Sequence, residues 1–385
     1  MTKTQILKIL SDNGYKAYLV GGCVRDLVLK KTPSDFDIAT SALPRQVSEL
    51  FFNSKLVLSG QKHGTVGIVC DEGLVEVTTF RKESTYSDFR HPDQVVFTKE
   101  LKEDLARRDF TCNAMAMDAD GIIIDIFGGQ NDIQNKLIRC VGDADKRFSE
   151  DALRILRAVR FAAQCDFEIE QNTLASACAL SKNLHLISKE RIFEELKKTF
   201  KSQYCHKIMQ QTLPIFLSIF PSLQKDAWQQ ICTNISQCRQ NIYLSLACIL
   251  KHCDFLAELN HLKADSKTKN TVLFLLTNSL EDRRDIIKKI GVRGFENVCL
   301  LGEFITINDK SISKDLLKTI FACKDELCSV KQLKFDGNTV KSLGISDKNI
   351  GFALNFLLDA CIDKKCNNTQ EELLNYLEIS IDMFK

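Results

Sequence analysis

Asp35 and Asp37, one residue apart in DFDIAT, are the residues whose type and spacing most directly suggest chemistry. In a strand, alternate side chains share a face, so both carboxylates would project from the same side. Two hard oxygen donors suit magnesium, which keeps several waters and takes only one or two protein carboxylates. Such a site lines up an attacking hydroxyl with a triphosphate leaving group. Glu76 in VEVTTFR is a candidate third acid, because an unpaired charge in an otherwise apolar, β-branched run is costly; an ion pair with Arg81 accounts for it equally well. Just upstream, LVGGCVRD ends a strand in Gly21 and Gly22, whose missing side chains let backbone amides approach a phosphate at a helix start. Arg25 adds a cation there, the alternative being a tight turn held by an Arg25–Asp26 pair.

A second set of polar residues lies in SEDALRILRAVRF, where Asp151, Arg154, Arg157 and Arg160 recur every three residues. On a helix this spacing keeps them close together. Three arginines in line repel unless something anionic or polar lies across them, and a plain helix surface is the alternative. A carboxylate beside a guanidinium matches the amine-plus-acceptor edge of cytosine or adenine. Uracil presents the reverse order and guanine fails in the same way, which leaves opposed polar groups buried. The chemistry therefore predicts a pocket for C and A that needs no nucleic-acid template.

The elements that must position these residues fall into two regimes. Up to about residue 140, strand-like runs (AYLV, DFDIAT, HGTVGIVC, GLVEVTTF, GIIIDIF) alternate with helical stretches, including an amphipathic helix over Pro44 to Phe52. From about residue 145 helical patterns dominate, among them SEDALRILRAVRFAAQ, SKERIFEELKKTF and NIGFALNFLLDACI, and Pro214 and Pro221 mark breaks between helices. At 385 residues the chain is too long for one ordinary core. Its 44% apolar and 26% charged residues are those of a globular protein. A net charge of +2 requires any nucleic-acid-binding charge to be concentrated locally. Lys3, Lys8 and Asp12 interrupt the N-terminal apolar residues, so neither a signal peptide nor a membrane span is read there and a cytoplasmic location is expected. The 16 cysteines include no CxxC pair and read as small buried thiols rather than metal ligands.

GGCVRD with DFD, RRDFTCNAMAMD (107 to 118) and EDALRILRAVRF (150 to 161) together resemble the successive motifs of the class II tRNA nucleotidyltransferases and bacterial poly(A) polymerases, of the firmicute-like CCA-adding type. The resemblance is dense over roughly the first 200 residues and weak beyond. It implies an α+β protein: a polymerase-β-like nucleotidyltransferase head with a mixed β-sheet, then an elongated all-α neck, body and tail. The expected divisions are 1–140, 141–205, 206–300 and 301–385. The implied activity is Mg2+-dependent addition or repair of the 3′-terminal CCA of tRNA from CTP and ATP, with pyrophosphate released. Alternatives are the A-adding partner of a split CC and A pair, a poly(A) polymerase, or an inactive RNA-binding relative.

Carried onto this sequence, the resemblance gives Asp35 and Asp37 the metal and Glu76 a catalytic place. Gly22 and Arg25 would lie at the nucleotide, and Arg108 and Asp109 would read the ribose, although a salt bridge is a plausible alternative there, for Arg107 in particular. Asp151 and Arg154 would read the base, with Arg157 and Arg160 nearer the phosphates or the RNA end. Asp125, Gly128 and Gly129 resemble the junction of head and neck, where glycines permit a hinge. SKERIFEELKK (188 to 198) resembles a bracing motif with no catalytic role. The polar stretch between Arg81 and Leu105 is similar to the family's flexible loop, which favours addition of the terminal A. LACILKHCD (246 to 254) resembles the start of an HD phosphohydrolase domain, but Lys251 and His252 stand where metal ligands belong, so hydrolase chemistry is not expected. The tail, with Lys341, Gly344, Lys348 and Gly351 about a turn, is expected to hold the acceptor stem and T-arm of tRNA by shape and backbone contacts. The oligomeric state is not legible.

Overall fold

A computed structural model describes residues 1–71, 73–83, 95–309, 311 and 315–384. The stretch between Arg81 and Leu105 read as a flexible loop lies largely outside the described residues.

Among the described residues, eleven short strands and nine α-helices carry the first 200 positions. The strands are β1 (Ala17–Val20), β2 (Phe36–Thr40), β3 (Leu56–Val57), β4 (Thr65–Cys70), β5 (Gly73–Thr79), β6 (Arg81–Glu83), β7 (Val95–Phe97), β8 (Met115–Met117), β9 (Ile123–Asp125), β10 (Leu137–Ile138) and β11 (Glu168–Ile169). The helices are α1 (Lys3–Asp12), α2 (Gly22–Val28), α3 (Pro44–Leu50), α4 (Leu101–Ala106), α5 (Gly129–Gln134), α6 (Ala144–Glu150), α7 (Leu153–Cys165), α8 (Gln171–Ala179) and α9 (Lys189–Phe200). Seven strands form one mixed sheet in the order β3-β4-β5-β2-β1-β8-β9. All of its pairings are antiparallel except β2 with β5, which run parallel and place Asp37 beside Glu76. The crossover from β2 to β5 contains α3, as a parallel pair requires.

The strands form where apolar and β-branched residues alternate with polar ones. Ile38, Val66, Ile68, Val75 and Val77 are buried, whereas Asp37 and Glu76 on the intervening positions reach solvent. Strand β8 is not apparent in the sequence, because MAM carries no β-branched residue and gains its place by pairing with β1 and β9. The remainder is helical, so a mixed-sheet head followed by a predominantly helical portion is the observed architecture. Pro214 lies in the first turn of the helix Leu213–Ile219, and Pro221 follows its end, so both prolines stand at helix boundaries.

The largest departure from expectation lies at residue 151. The sequence continues its three-residue rhythm through it, yet the chain breaks there: α6 ends at Glu150 and α7 begins at Leu153. Asp151 is extended (φ −143°, ψ 104°), and its carboxylate accepts the Leu153 amide at 3.0 Å. A short acidic side chain that satisfies an orphan amide competes with helix continuation.

Packing groups the chain into two units, one of residues 1–242 with 252–264 and one of 243–251 with 265–385. The second has its own core, which includes Phe335, Val340, Leu357, Leu373 and Leu377. No helix among the described residues is long and apolar enough to cross a membrane.

Candidate functional site

The parallel register of β2 and β5 sets Asp37 and Glu76 side by side, and Asp35, just ahead of β2, lies near enough to act on the Asp37 carboxyl. All three are exposed. Asp35 accepts the Ser34 hydroxyl at 2.9 Å. Arg81, the alternative partner for Glu76, donates to the His63 carbonyl at 2.6 Å. Although Asp37 reaches solvent, the protein packed about it pushes its carboxyl up from the usual carboxylate range, with Glu76 and Asp35 adding to the push and Arg108 opposing it. Like charges are therefore crowded on one face with little internal compensation.

The glycine turn lies directly against this face. Gly21 has φ +79°, and a Cβ there would stand 3.0 Å from Arg108 Nη1 and 3.9 Å from an Asp37 oxygen. A side chain at Gly22 would meet nothing closer than Arg25 at 3.6 Å, so the steric requirement falls on Gly21. Arg108 donates to Asp104 at 3.2 Å, while its Nε is buried without an acceptor. Burial disfavours charge on Asp104, but Arg107 and Arg108 together outweigh it and hold the carboxyl below its ordinary range.

Arg25 is buried, and the pairing weighed against its phosphate role is present: its guanidinium bonds Asp26 at 2.7 and 2.9 Å and Asn113 at 2.9 Å. Asp109 is likewise spent inside the protein. It accepts from Arg157 at 2.6 and 2.8 Å, from Asn113 at 3.2 Å and from the Phe110 amide at 2.9 Å. Burial raises its carboxyl, and Arg157 more than reverses this, leaving it lowered. The Asp109 carboxylate therefore sits in a structural salt bridge, with Arg157 rather than Arg107 as partner, and Arg107 pairs with Asp104 at 2.9 Å.

The other arginines of α7 are neutralised from within as well. Arg154 bonds Glu150 at 2.6 Å and the Arg147 carbonyl at 3.1 Å. Arg160 bonds Glu195 of α9 at 2.6 Å. Arg25, Arg157 and Arg160 also surround the ring of Phe161, at 5.2, 5.1 and 4.0 Å from its centroid, an arrangement that lets cations share an aromatic face. Carboxylates of the protein and one ring thus lie against these arginines. Asp151, at the mouth of this cluster, pairs with Arg191 of α9 at 3.1 Å. Arg191 was not singled out by sequence, since only the tertiary fold joins positions 40 residues apart.

At the chain reversal before α5, Gly129 is required for packing: a Cβ there would lie 2.3 Å from the Thr111 carbonyl oxygen. Asp125 accepts the amides of Gly129 and Gln130, each at 2.8 Å. In the second unit, Lys341 pairs with Asp347 at 2.8 Å.

Among the described residues no three His, Cys, Asp or Glu side chains form a ready-made cation cage. A pair of carboxylates with solvent on one side nevertheless fits an ion that keeps waters and takes part of its shell from phosphate. The Asp37 carboxyl is raised first by burial and then by its acidic neighbours Glu76 and Asp35, with Arg108 opposing them.

Residues 17–139 match the poly A polymerase head domain, and residues 166–226 match the probable RNA and SrmB-binding site of polymerase A. A CCA-adding enzyme of Oceanobacillus iheyensis is 46% identical over 235 residues, covering 60% of this chain and 58% of that protein. One of Pediococcus pentosaceus is 51% identical over 193 residues, covering 50% of this chain and 48% of the relative. The matched stretch thus spans roughly half to six tenths of these curated relatives. In structure the chain is similar to the Bacillus stearothermophilus CCA-adding enzyme in complex with CTP, with TM-score 0.83, 28% identity, and coverage of 100% of this chain and 99% of that one. A Thermotoga maritima CCA-adding enzyme complexed with tRNA shares the fold at TM-score 0.71 and 23% identity, covering 98% and 94%. The resemblance read from the motifs holds for the head domain and for the fold.

Proposed function

We propose that the protein is a CCA tRNA nucleotidyltransferase that adds or repairs the 3′-terminal CCA of tRNA from CTP and ATP in the cytoplasm, without a nucleic-acid template. The observation that carries this reading is the register of Asp37 beside Glu76, with Asp35 near enough to act on Asp37, next to a glycine turn and the incompletely bonded Arg108. Asp35 and Asp37 would hold Mg2+, with Glu76 beside them; the ion would neutralise charge on the triphosphate and on the attacking 3′-hydroxyl. Gly21 leaves room for a phosphate to approach, and Arg108 offers a guanidinium toward it. The 3′-hydroxyl of the RNA attacks the α-phosphate and pyrophosphate leaves, so the protein's work is alignment and charge neutralisation. No covalent intermediate is needed.

Asp151 and Arg154 present the carboxylate and guanidinium that would read C and A. Arg157 and Arg160, which pair with Asp109 and Glu195, would lie nearer the nucleotide phosphates or the RNA end. Arg25 would lie at the nucleotide and Asp109, with Arg108, at its ribose, each also held by partners within the protein. The head (1–140), neck (141–205), body (206–300) and tail (301–385) remain the functional divisions we propose, the last two holding the acceptor stem and T-arm.

One assay tests the reading. Purified protein with magnesium is given tRNA transcripts lacking all of CCA or only the final A, beside a generic oligoribonucleotide, each with single labelled nucleotides. Two C additions followed by one A, confined to tRNA, are expected. Addition of A alone would identify one half of a split pair, unlimited A on any RNA would identify a poly(A) polymerase, and no transfer would leave an RNA-binding relative.

A further inference from the structure

Three pairs of cysteines stand five residues apart in the chain: Cys248 with Cys253, Cys323 with Cys328, and Cys361 with Cys366. The fold brings the sulfurs of the last pair together. Cys361 lies in the final turn of the helix Ile350–Ile362, and Cys366 follows that helix, ahead of the helix Gln370–Ile379. Their sulfurs are 3.6 Å apart. At the same spacing the Cys328 sulfur faces the Gln332 side-chain oxygen at 3.5 Å.

The backbone between Cys361 and Cys366 is already folded back on itself. The amides of Lys364 and Lys365 bond the carbonyls of Cys361 at 3.0 Å and Ala360 at 2.8 Å. Beyond Cys366, Asn367 donates to Glu372 at 2.7 and 2.9 Å. Asn368 accepts the Lys334 amide at 2.8 Å and donates to the Gln332 carbonyl at 2.9 Å. The reversal is thus held on both sides, and both thiols pack, partly buried, against a core that includes Leu373 and Leu377. A disulfide sets its sulfurs about 2.05 Å apart, so these two have roughly 1.5 Å left to close.

The two thiols are not equivalent. Burial raises both, and the hydrogen bond they share adds to the rise at Cys361, pushed up to about 12, while it works against the rise at Cys366. Cys366 is therefore the sulfur that more readily becomes a thiolate, the form that reacts with oxidants.

We propose that Cys361 and Cys366 are a redox-modification site: a hydroperoxide converts them to an intramolecular disulfide that fastens the end of the helix Ile350–Ile362 to the turn after it, and a thiol reductant reopens it. The Cys366 thiolate attacks one oxygen of hydrogen peroxide, the O–O bond breaks, and the departing hydroxide takes up the proton shed by the thiol to give water. The sulfenic acid so formed is attacked by the Cys361 sulfur; the S–S bond forms, the S–O bond breaks, and the oxygen leaves with the Cys361 proton as a second water. Two thiols and one peroxide thus give one disulfide and two waters. In a reducing compartment thiol exchange holds the pair open, so it closes only while oxidant is present.

The test uses full-length reduced protein exposed to hydrogen peroxide, quenched with catalase, alkylated, and digested with trypsin in the absence of reductant. Lys364 and Lys365 lie between the two cysteines, so trypsin parts them unless a disulfide joins the fragments. The joined peptide should exceed every other cysteine cross-link by about 10-fold or more, the advantage of sulfurs already within reach. Glutathione added before alkylation should return it to two separate alkylated peptides. In Cys361→Ser, Cys366 should accumulate as a sulfenic acid that dimedone traps, whereas in Cys366→Ser the Cys361 thiol should survive.

A cross-link between other cysteines that forms first, or none at all in folded protein, overturns the proposal. So does a Cys361–Cys366 bond that glutathione leaves intact. Dimedone on Cys361 in Cys366→Ser, with none on Cys366 in Cys361→Ser, overturns the order of the two steps. If either serine variant does not fold by circular dichroism, the wild-type peptide map decides alone.

Discussion

The sheet face that carries Asp37 and Glu76, with Asp35 just ahead of β2, and the helix that carries Arg154, Arg157 and Arg160 accommodate like charges in opposite ways. On the sheet, three acids stand together in solvent and Asp37 is pushed toward its neutral form. On the helix, each arginine meets a carboxylate of the protein, at Glu150, Asp109 and Glu195. The first region keeps its like charge on a solvent face, while the second meets carboxylates of the protein at each arginine. Unresolved like charge marks where a ligand must supply something, whereas resolved charge marks where the scaffold is being aligned. The pairing on the helix is not free of cost. Burial, together with neighbouring Arg157, lowers the tendency of Arg160 to carry its proton despite the contact with Glu195.

Four substitutions would break or sharpen this contrast. Asp37→Asn should reduce nucleotide transfer by about 1,000-fold or more, since loss of a centre that stabilises transition-state charge costs roughly 4 kcal/mol. In metal-free protein the same change should leave the melting temperature equal or raised by about 1 °C, because it relieves crowding among acids. A fall of several degrees would show that Asp37 is structural. Glu195→Ala should destabilise by about 3–5 kcal/mol, the cost of stranding a buried guanidinium, measured by urea titration; a change under 1 kcal/mol would mean that Arg160 finds another partner.

Asp109→Asn should cost less, about 2–3 kcal/mol at neutral pH, because Arg157 is one-third exposed and partly screened. The sign with pH follows from its lowered carboxyl. The stability it contributes is in place above the unfolded-state value near 3.9 and disappears as pH falls through the lower folded value. Melts of wild type and variant should therefore converge below about pH 4, and a constant gap down to pH 2 would refute the ion pair as its source. Arg45→Ala removes an exposed pair with Glu49 and should change stability by under about 0.5 kcal/mol. A larger change there would blur the distinction between buried and solvated pairs.

Much of the sheet was legible because burial alternates with residue type: AYLV coincides with β1, and DFDIAT and GLVEVTTF contain β2 and β5. The expectation that Asp35 and Asp37 share a face uses the same period of two, whereas β2 itself begins at Phe36. The adjacency of Glu76 does not follow from that period, since strand pairing is a long-range choice that local pattern leaves open. The break at Asp151 carried a signal, an acid just before an apolar run, but the arginine rhythm passed across it and favoured a continuous helix. The partners of the arginines were invisible for a different reason. Glu195 and Asp109 lie 35 and 48 residues from the side chains they neutralise, and nothing local announces them. Gly129 was read as a point of flexibility, whereas the nearby Thr111 carbonyl makes it a point of close contact.

The parallel β2–β5 pairing also constrains how this gene can drift. Because the meeting of Asp37 and Glu76 is inherited from a ladder rather than from a loop, codons gained or lost in the turns of the intervening crossover should be absorbed. A single in-frame deletion within either strand would turn one acid to the opposite side of the sheet. Insertion tolerance along residues 36–79 should therefore map as permissive turns between two unforgiving segments.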